Sequence, residues 1–355
     1  MKKILWSLYL LLFLISYAKA DFYRFDPHGG PFSRELNKFF TPVFNKGRMQ
    51  IYRFKKTRSF KGLPPGLLYH LVKIEKNKWK VIGPEELDEK LTHSSAIQVM
   101  LKKISEEKVK KHLKFLVNQN SRKIGTAGNL ETVSYIESLF KKYRYEVKRV
   151  CFKKSVCNVW GIKKGKVDEY VLIEAHLDSV GALNAGADDN ASGAAALLEM
   201  ARLLSKKDGK RGVIVFATNG EENGLLGSKD FVKKAKKSGL LSKISFFINM
   251  DMISWNKNGI VDIETNREFE KEARWMSSIA NTYTSLKPEI TMPAWGSDHV
   301  PFLNKGVPGV LTIEHWKTKS PCYHQTCDKL DTLNIPYLLE ILKLNMAASL
   351  YKLDE

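Results

Sequence analysis

The sequence predicts an α/β protein, a largely parallel mixed sheet with helices on both faces, plus a small basic N-terminal module. Three observations carry that expectation. Apolar runs short enough to be buried strands recur at residues 171–175, 213–217, 244–250 and 307–313. Segments with helical patterning lie between and after them, notably 194–204, 228–237 and 335–353. Strands alternating with helices pack as a sheet covered on both sides. The third observation is charge. Fifty-eight Lys and Arg against thirty-eight Asp and Glu give +20, and residues 21–80 alone hold fourteen basic and four acidic side chains.

Taken in order, Lys2 and Lys3 precede an apolar run to Tyr17, and Ala18-Lys19-Ala20 has the small-x-small pattern of a cleavage site. Residues 1–20 therefore read as a signal peptide, the run falling short of the ~20 apolar residues of a spanning helix. An exported protein, periplasmic or extracellular, with no transmembrane anchor after cleavage is expected. Residues 21–95 read as a basic extension or propeptide. Pro27, Gly29-Gly30-Pro31 and Pro64-Pro65-Gly66 punctuate it, with strand-like runs at 49–54 and 67–74. Its charge suits an anionic envelope polymer, or simply a solvated basic face. No nucleic-acid motif is present, and no nucleic-acid partner is expected. Residues 96–355 read as the α/β domain. Ile104, Val109, Leu113, Leu116 and Val117 mark one helix face, and Asn129 is the expected cap of a second helix carrying Val133, Ile136, Leu139 and Phe140. With 43% apolar and 11% aromatic residues in 355, the chain buries a full core, which excludes global disorder, collagen and coiled coil.

The four cysteines fall in two close pairs, Cys151 with Cys157 and Cys322 with Cys327. In an oxidising compartment each pair closes a short loop; the alternative is four buried free thiols. Neither spacing is C-x-x-C, so a thioredoxin-like motif and a zinc ribbon are unsupported.

Polar residues gather after the strand runs, where α/β sheets carry chemistry. The first run ends in His176-Leu177-Asp178, where an acid can orient an imidazole ligand. Asp188-Asp189 follows and opens a helix, which by itself is also a capping cluster. The next run leads into Glu221-Glu222, adjacent carboxylates that can divide cation binding and proton transfer, or merely form an acidic first turn. Asp251 sits in the apolar stretch 248–253, where an unpaired charge is costly. Near the C-terminus His324 precedes Asp328 and Asp331. Together these supply two imidazoles and three carboxylates as ligands, with a spare Glu and a spare Asp. That mixture of N and O donors suits zinc, and bridging carboxylates suit a pair of ions.

In these blocks, over about residues 105–355, the sequence resembles the secreted bacterial co-catalytic di-zinc aminopeptidases. That metallopeptidase group also includes the glutamate carboxypeptidases and is related in fold to glutaminyl cyclases. The resemblance implies a zinc-peptidase α/β/α sandwich and two Zn2+ ions. Position by position it implies His176, Asp189, Glu222, Asp251 and His324 as metal ligands, Asp189 bridging. Glu221 corresponds to the general base and Asp178 to the acid orienting His176. Ser297-Asp298-His299 is similar to a block near the substrate pocket, making Asp298 and His299 candidate substrate-binding residues, with a structural role for His299 equally open. His315 is the weaker alternative to His324. The implied reaction is hydrolysis of N-terminal residues from peptides with a free N-terminus. A glutaminyl cyclase, a carboxypeptidase or a non-catalytic domain on the same scaffold are the alternatives.

Overall fold

The computed structural model describes residues 22–25, 40–46, 49–54, 71–74 and 79–355, apart from 154 and 182–184. The expected signal peptide lies outside the described residues. Contacts divide the chain into two units, 1–81 and 82–355.

Among its described residues the first unit holds four strands, β1 (Phe22–Phe25), β2 (Phe40–Lys46), β3 (Met49–Phe54) and β4 (Leu71–Ile74), in the order β2-β3-β1-β4. Every pairing is antiparallel. Ile51 and Phe40 are fully buried.

The second sheet has nine strands: β5 (Lys80–Ile82), β6 (Glu146–Lys153), β7 (Val156–Lys163), β8 (Tyr170–His176), β9 (Gly212–Thr218), β10 (Ile244–Met250), β11 (Ile260–Glu264), β12 (Lys287–Met292) and β13 (Gly309–Glu314). Their order is β5-β12-β11-β13-β10-β8-β9-β7-β6. The central strands β9, β8, β10 and β13 run parallel. These four are the apolar runs of the sequence. Antiparallel pairings flank them, β7 on β9 and β11 on β13. The sheet is thus mixed with a parallel centre.

Successive strand residues face opposite layers. Val171, Ile173, Ala175, Val213, Val215 and Ala217 join one apolar cluster, and Tyr170, Leu172, Ile214 and Phe216 join another. The first is covered by α1 (Ser95–Leu101), α2 (Glu106–Val117), α3 (Ala127–Lys142), α4 (Gly193–Leu204), α6 (Glu270–Tyr283) and α8 (Ile335–Asp354). The second is covered by α5 (Leu226–Ser238) and α7 (His299–Leu303) through Phe231, Val232, Ala235, Phe302 and Leu303. Each fully buried side chain of this size contributes about 1.5–3 kcal/mol, so both layers hold the sheet rigid beneath its loops.

Asn129 is not the cap of α3. Thr126 is, its Oγ1 accepting the Asn129 N–H at 3.2 Å. The Asn129 side chain is buried inside the first turn and donates to the Arg122 carbonyl at 2.7 Å and to Asn219 Oδ1 at 3.0 Å. The helix starts earlier because Ala127 and Gly128 add no apolar periodicity from which its first turn can be read. Among the described residues, no helix is long and apolar enough to cross a membrane.

Candidate metal centre and active site

Strands β8, β9 and β10 are parallel neighbours, so the segments leaving their carboxyl ends meet above one edge of the sheet. His176 closes β8, buried at 1% exposure. Its Nε2 lies 3.3 Å from Asp189 Oδ1 and 3.3 Å from Asp251 Oδ1. Its Nδ1 lies 3.5 Å from Asp178 Oδ1. Asp178 also accepts the backbone N–H groups of Glu221 at 3.2 Å and Glu222 at 3.3 Å. One carboxylate thus faces an imidazole on one strand and holds the backbone of the paired acids after the next.

Asp189 sits in the irregular turn Ala187–Ser192 that leads into α4. Gly186 enters this turn at φ +56°, and a Cβ there would stand 2.3 Å from the Asp189 carbonyl oxygen, so the turn requires glycine. Asp189 Oδ2 lies 3.0 Å from His324 Nε2, which is 3.1 Å from Glu222 Oε2. Asp251 is steadied on its far oxygen by Ser297 Oγ at 2.7 Å.

Two donor groups result, His176 with Asp189 and Asp251, and Asp189 with Glu222 and His324, each with its ligand atoms within 4.8 Å of one another. Asp189 belongs to both and turns a different oxygen to each imidazole. Imidazole nitrogen with carboxylate oxygen is a zinc-type donor set. Glu222 Oε1 is buried and has no hydrogen-bond partner among the described residues, which fits an electropositive occupant.

The electrostatics agree. Burial pushes Glu222 up to about 8, aided by Asp189 and opposed by His324. Burial, opposed by His176 but reinforced by Glu222 and Asp251, raises Glu221 well above the usual carboxylate range. Burial also works to raise Asp189, but hydrogen bonds and charge from His176 and His324 outweigh it and hold the group well below that range. The imidazoles respond in kind. Burial disfavours their charged forms, yet the surrounding carboxylates raise His176 strongly and His324 to about 10. So many acids in one buried place repel one another unless cations or protons intervene.

Asp298 and His299 lie close by, and neither side chain reaches solvent. Asp298 accepts from Thr218 Oγ1 at 2.6 Å and from Ser228 Oγ. Thr218 Oγ1 also faces Glu174, whose carboxyl is raised, first by burial and then by Asp298. A hydroxyl has one proton to give, so one of these two acids must carry a proton. His299 Nε2 lies 3.1 Å from Glu264 Oε1. His315 does not join His324; it groups with Asp262 and Glu289. Both expected disulfides are present, Cys151–Cys157 and Cys322–Cys327.

Sequence reasoning missed Arg122 and gave Asp328 no role. Arg122 is fully buried, midway along the segment that joins α2 to α3. It donates to the carbonyls of Leu177 at 2.9 Å, Gly186 at 2.9 Å, Leu116 at 3.3 Å and Ala185. It therefore grips both ends of the loop joining His176 to Asp189. Nothing in the sequence marks it, because its partners are backbone carbonyls that leave no residue signature.

Residues 158–349 match peptidase family M28. A probable leucine aminopeptidase of Trichophyton verrucosum is 25% identical over 288 residues, 73% of this chain and 74% of that protein. Aminopeptidase YwaD of Bacillus subtilis is 31% identical over 185 residues, 50% of this chain and 40% of that protein. The LapA aminopeptidase of Legionella pneumophila shares the fold, with a TM-score of 0.68 at 16% identity over 94% of this chain and 98% of its own. With a strand-end site of paired His and carboxylate groups inside the matched residues, the chain belongs to peptidase family M28 and is a hydrolase of peptide bonds.

Proposed function

We propose that the protein is an exported zinc-dependent aminopeptidase holding two Zn2+ ions. His176, Asp189 and Asp251 would hold one and Asp189, Glu222 and His324 the other, Asp189 being common to both sets. The observation that carries this reading is the pair of His–carboxylate groups sharing Asp189. Zinc held there would supply a water whose pKa is lowered toward about 7 and polarisation of a scissile carbonyl. Glu221 acts as general base, taking the attacking water's proton and passing it to the leaving amine. Asp178 aligns that base with His176, since it holds the backbone of Glu221 and Glu222 while facing the ring. Asp298, enclosed, supports Thr218 and Ser228 of α5, and His299, also enclosed, faces Glu264. The basic N-terminal unit, which ends at Val81, serves as a removable propeptide or a localisation device toward an anionic envelope polymer.

Aminoacyl amides and their N-acetylated forms test the direction of cleavage: only the former should be hydrolysed. Glu221→Gln should retain both metals while kcat falls by about 10² to 10⁴, whereas Asp189→Ala should lose metal as well. Near-normal turnover by Glu221→Gln would refute the assignment. A pyroglutamate product from an N-terminal glutamine peptide would favour a glutaminyl cyclase, protection by C-terminal blocking a carboxypeptidase, and absence of bound zinc a non-catalytic domain.

A further inference from the structure

We propose that Asp328 is a positioning residue that fixes His324 against Asp189, so that one buried carboxylate sets the geometry of the second metal position; this rests on the two-zinc reading above. Asp328 is 1% exposed. Its Oδ1 accepts the Asp188 N–H at 2.8 Å and its Oδ2 the Asp189 N–H at 3.1 Å, across 139 residues of sequence in the latter case. Its own carbonyl accepts from Ala187 N at 3.4 Å. Both oxygens of an anion thus hold adjacent amides, the strong, charge-assisted form of the hydrogen bond.

The other end of the strap is a closed loop. The Cys322–Cys327 disulfide encircles His324. Asp328 N donates to Gln325 O at 3.1 Å and Gln325 N to Cys322 O at 2.8 Å. Tyr323, on the same loop, stacks on the His324 ring at 3.8 Å between centroids. The loop therefore moves as a unit, and Asp328 ties that unit to the turn bearing Asp189.

The two imidazoles are held differently. His176 is part of β8, paired on both sides in the sheet and 1% exposed. His324 lies on a loop, with its side chain 22% exposed. Removing Asp328 should therefore disturb the His324 position before the His176 position. Asparagine is the informative replacement: nearly the same shape, but its NH2 group meets a backbone N–H where an acceptor is needed.

The experiment compares wild type, Asp328→Asn and Asp328→Glu. In metal-free protein, amide hydrogen exchange at Asp188 and Asp189 should be at least about tenfold faster in Asp328→Asn, with the amides of α4 unchanged. Zinc titration against a chelator should give two equivalents in wild type. In Asp328→Asn one of these should be weakened by about ten- to a hundredfold and the other retained. Asp328→Glu, which keeps the charge but shifts the oxygens, should lie between the two. Wild-type exchange rates together with two equivalents at wild-type affinity in either folded variant would overturn the proposal. So would loss of fold in both variants by circular dichroism, which would make Asp328 a folding residue. Wild-type protein that takes up fewer than two equivalents would instead refute the two-zinc reading, leaving the exchange protection at Asp188 and Asp189 to decide the role of Asp328.

Discussion

Arg122 shows how much a single side chain can organise. Its guanidinium reaches carbonyls on the end of α2, on the segment after β8 and on the entry to the Asp189 turn. Burial pulls its pKa down to about 10, opposed by Asp328, Asp178, Asp189 and Glu222, so it stays charged at neutral pH beneath the acids it helps place. Lysine has the charge without the planar fork and leaves several of these carbonyls unmet. Arg122→Lys should therefore lose about 3 kcal/mol or more in urea unfolding. The proposed ligands, by contrast, are legible: His176, Asp189, Glu222, Asp251 and His324 stand in recognisable blocks at strand ends, and the structure draws all five together. What the sequence hid were the groups that act through backbone, Arg122 and Asp328, since any residue type can offer a carbonyl or an amide.

At the scale of elements, the parallel strands read most clearly because both their faces are buried and they appear as unbroken apolar runs. Strand β6, with mostly exposed or half-exposed positions, and the short β11 and β12, which bury Asp262, Glu264 and Glu289, gave no such run. Helix α2 carries a pH-sensitive residue. His112 is buried, with Nδ1 2.7 Å from Tyr135 Oη. Burial first, then Lys111, Lys108 and Arg202, lower its pKa to about 4 from 6.5. The fold thus prefers the neutral ring, while the unfolded chain takes up a proton at higher pH. The stabilisation is complete above about pH 6.5 and is lost as pH falls toward 4, amounting to about 3 kcal/mol at most. Stability profiles should show this loss in wild type, and His112→Gln should flatten that part of the curve.

At the scale of the molecule, the division at Val81 and Ile82 frames the test of the N-terminal unit. The charge step and the onset of helical periodicity set the expected domain start at residue 96. Residues 82–95 have no periodicity to read, because much of their attachment runs through the backbone. Leu91 N donates to Thr282 Oγ1 at 2.9 Å, Ser94 N to Tyr283 Oη at 2.8 Å, and Asn281 Nδ2 to Leu87 O at 2.6 Å. Ile82 and Leu87 add buried apolar surface. A variant lacking residues 21–81 should stay soluble and unfold cooperatively. One lacking 21–95 should melt markedly lower, having lost two buried side chains worth about 1.5–3 kcal/mol each and the hydrogen bonds onto α6. Equal melting temperatures by calorimetry would show that residues 82–95 contribute nothing to the larger unit.

The sulfur bridge around His324 has a consequence for where such a protein can work. Glutathione and thioredoxin keep thiols apart in an ordinary cytosol, so there the ring bearing one of the two imidazoles would hang open. Maturation would then wait on oxidation, and a chain able to cut peptides would stay harmless to the proteins around it while it was being made.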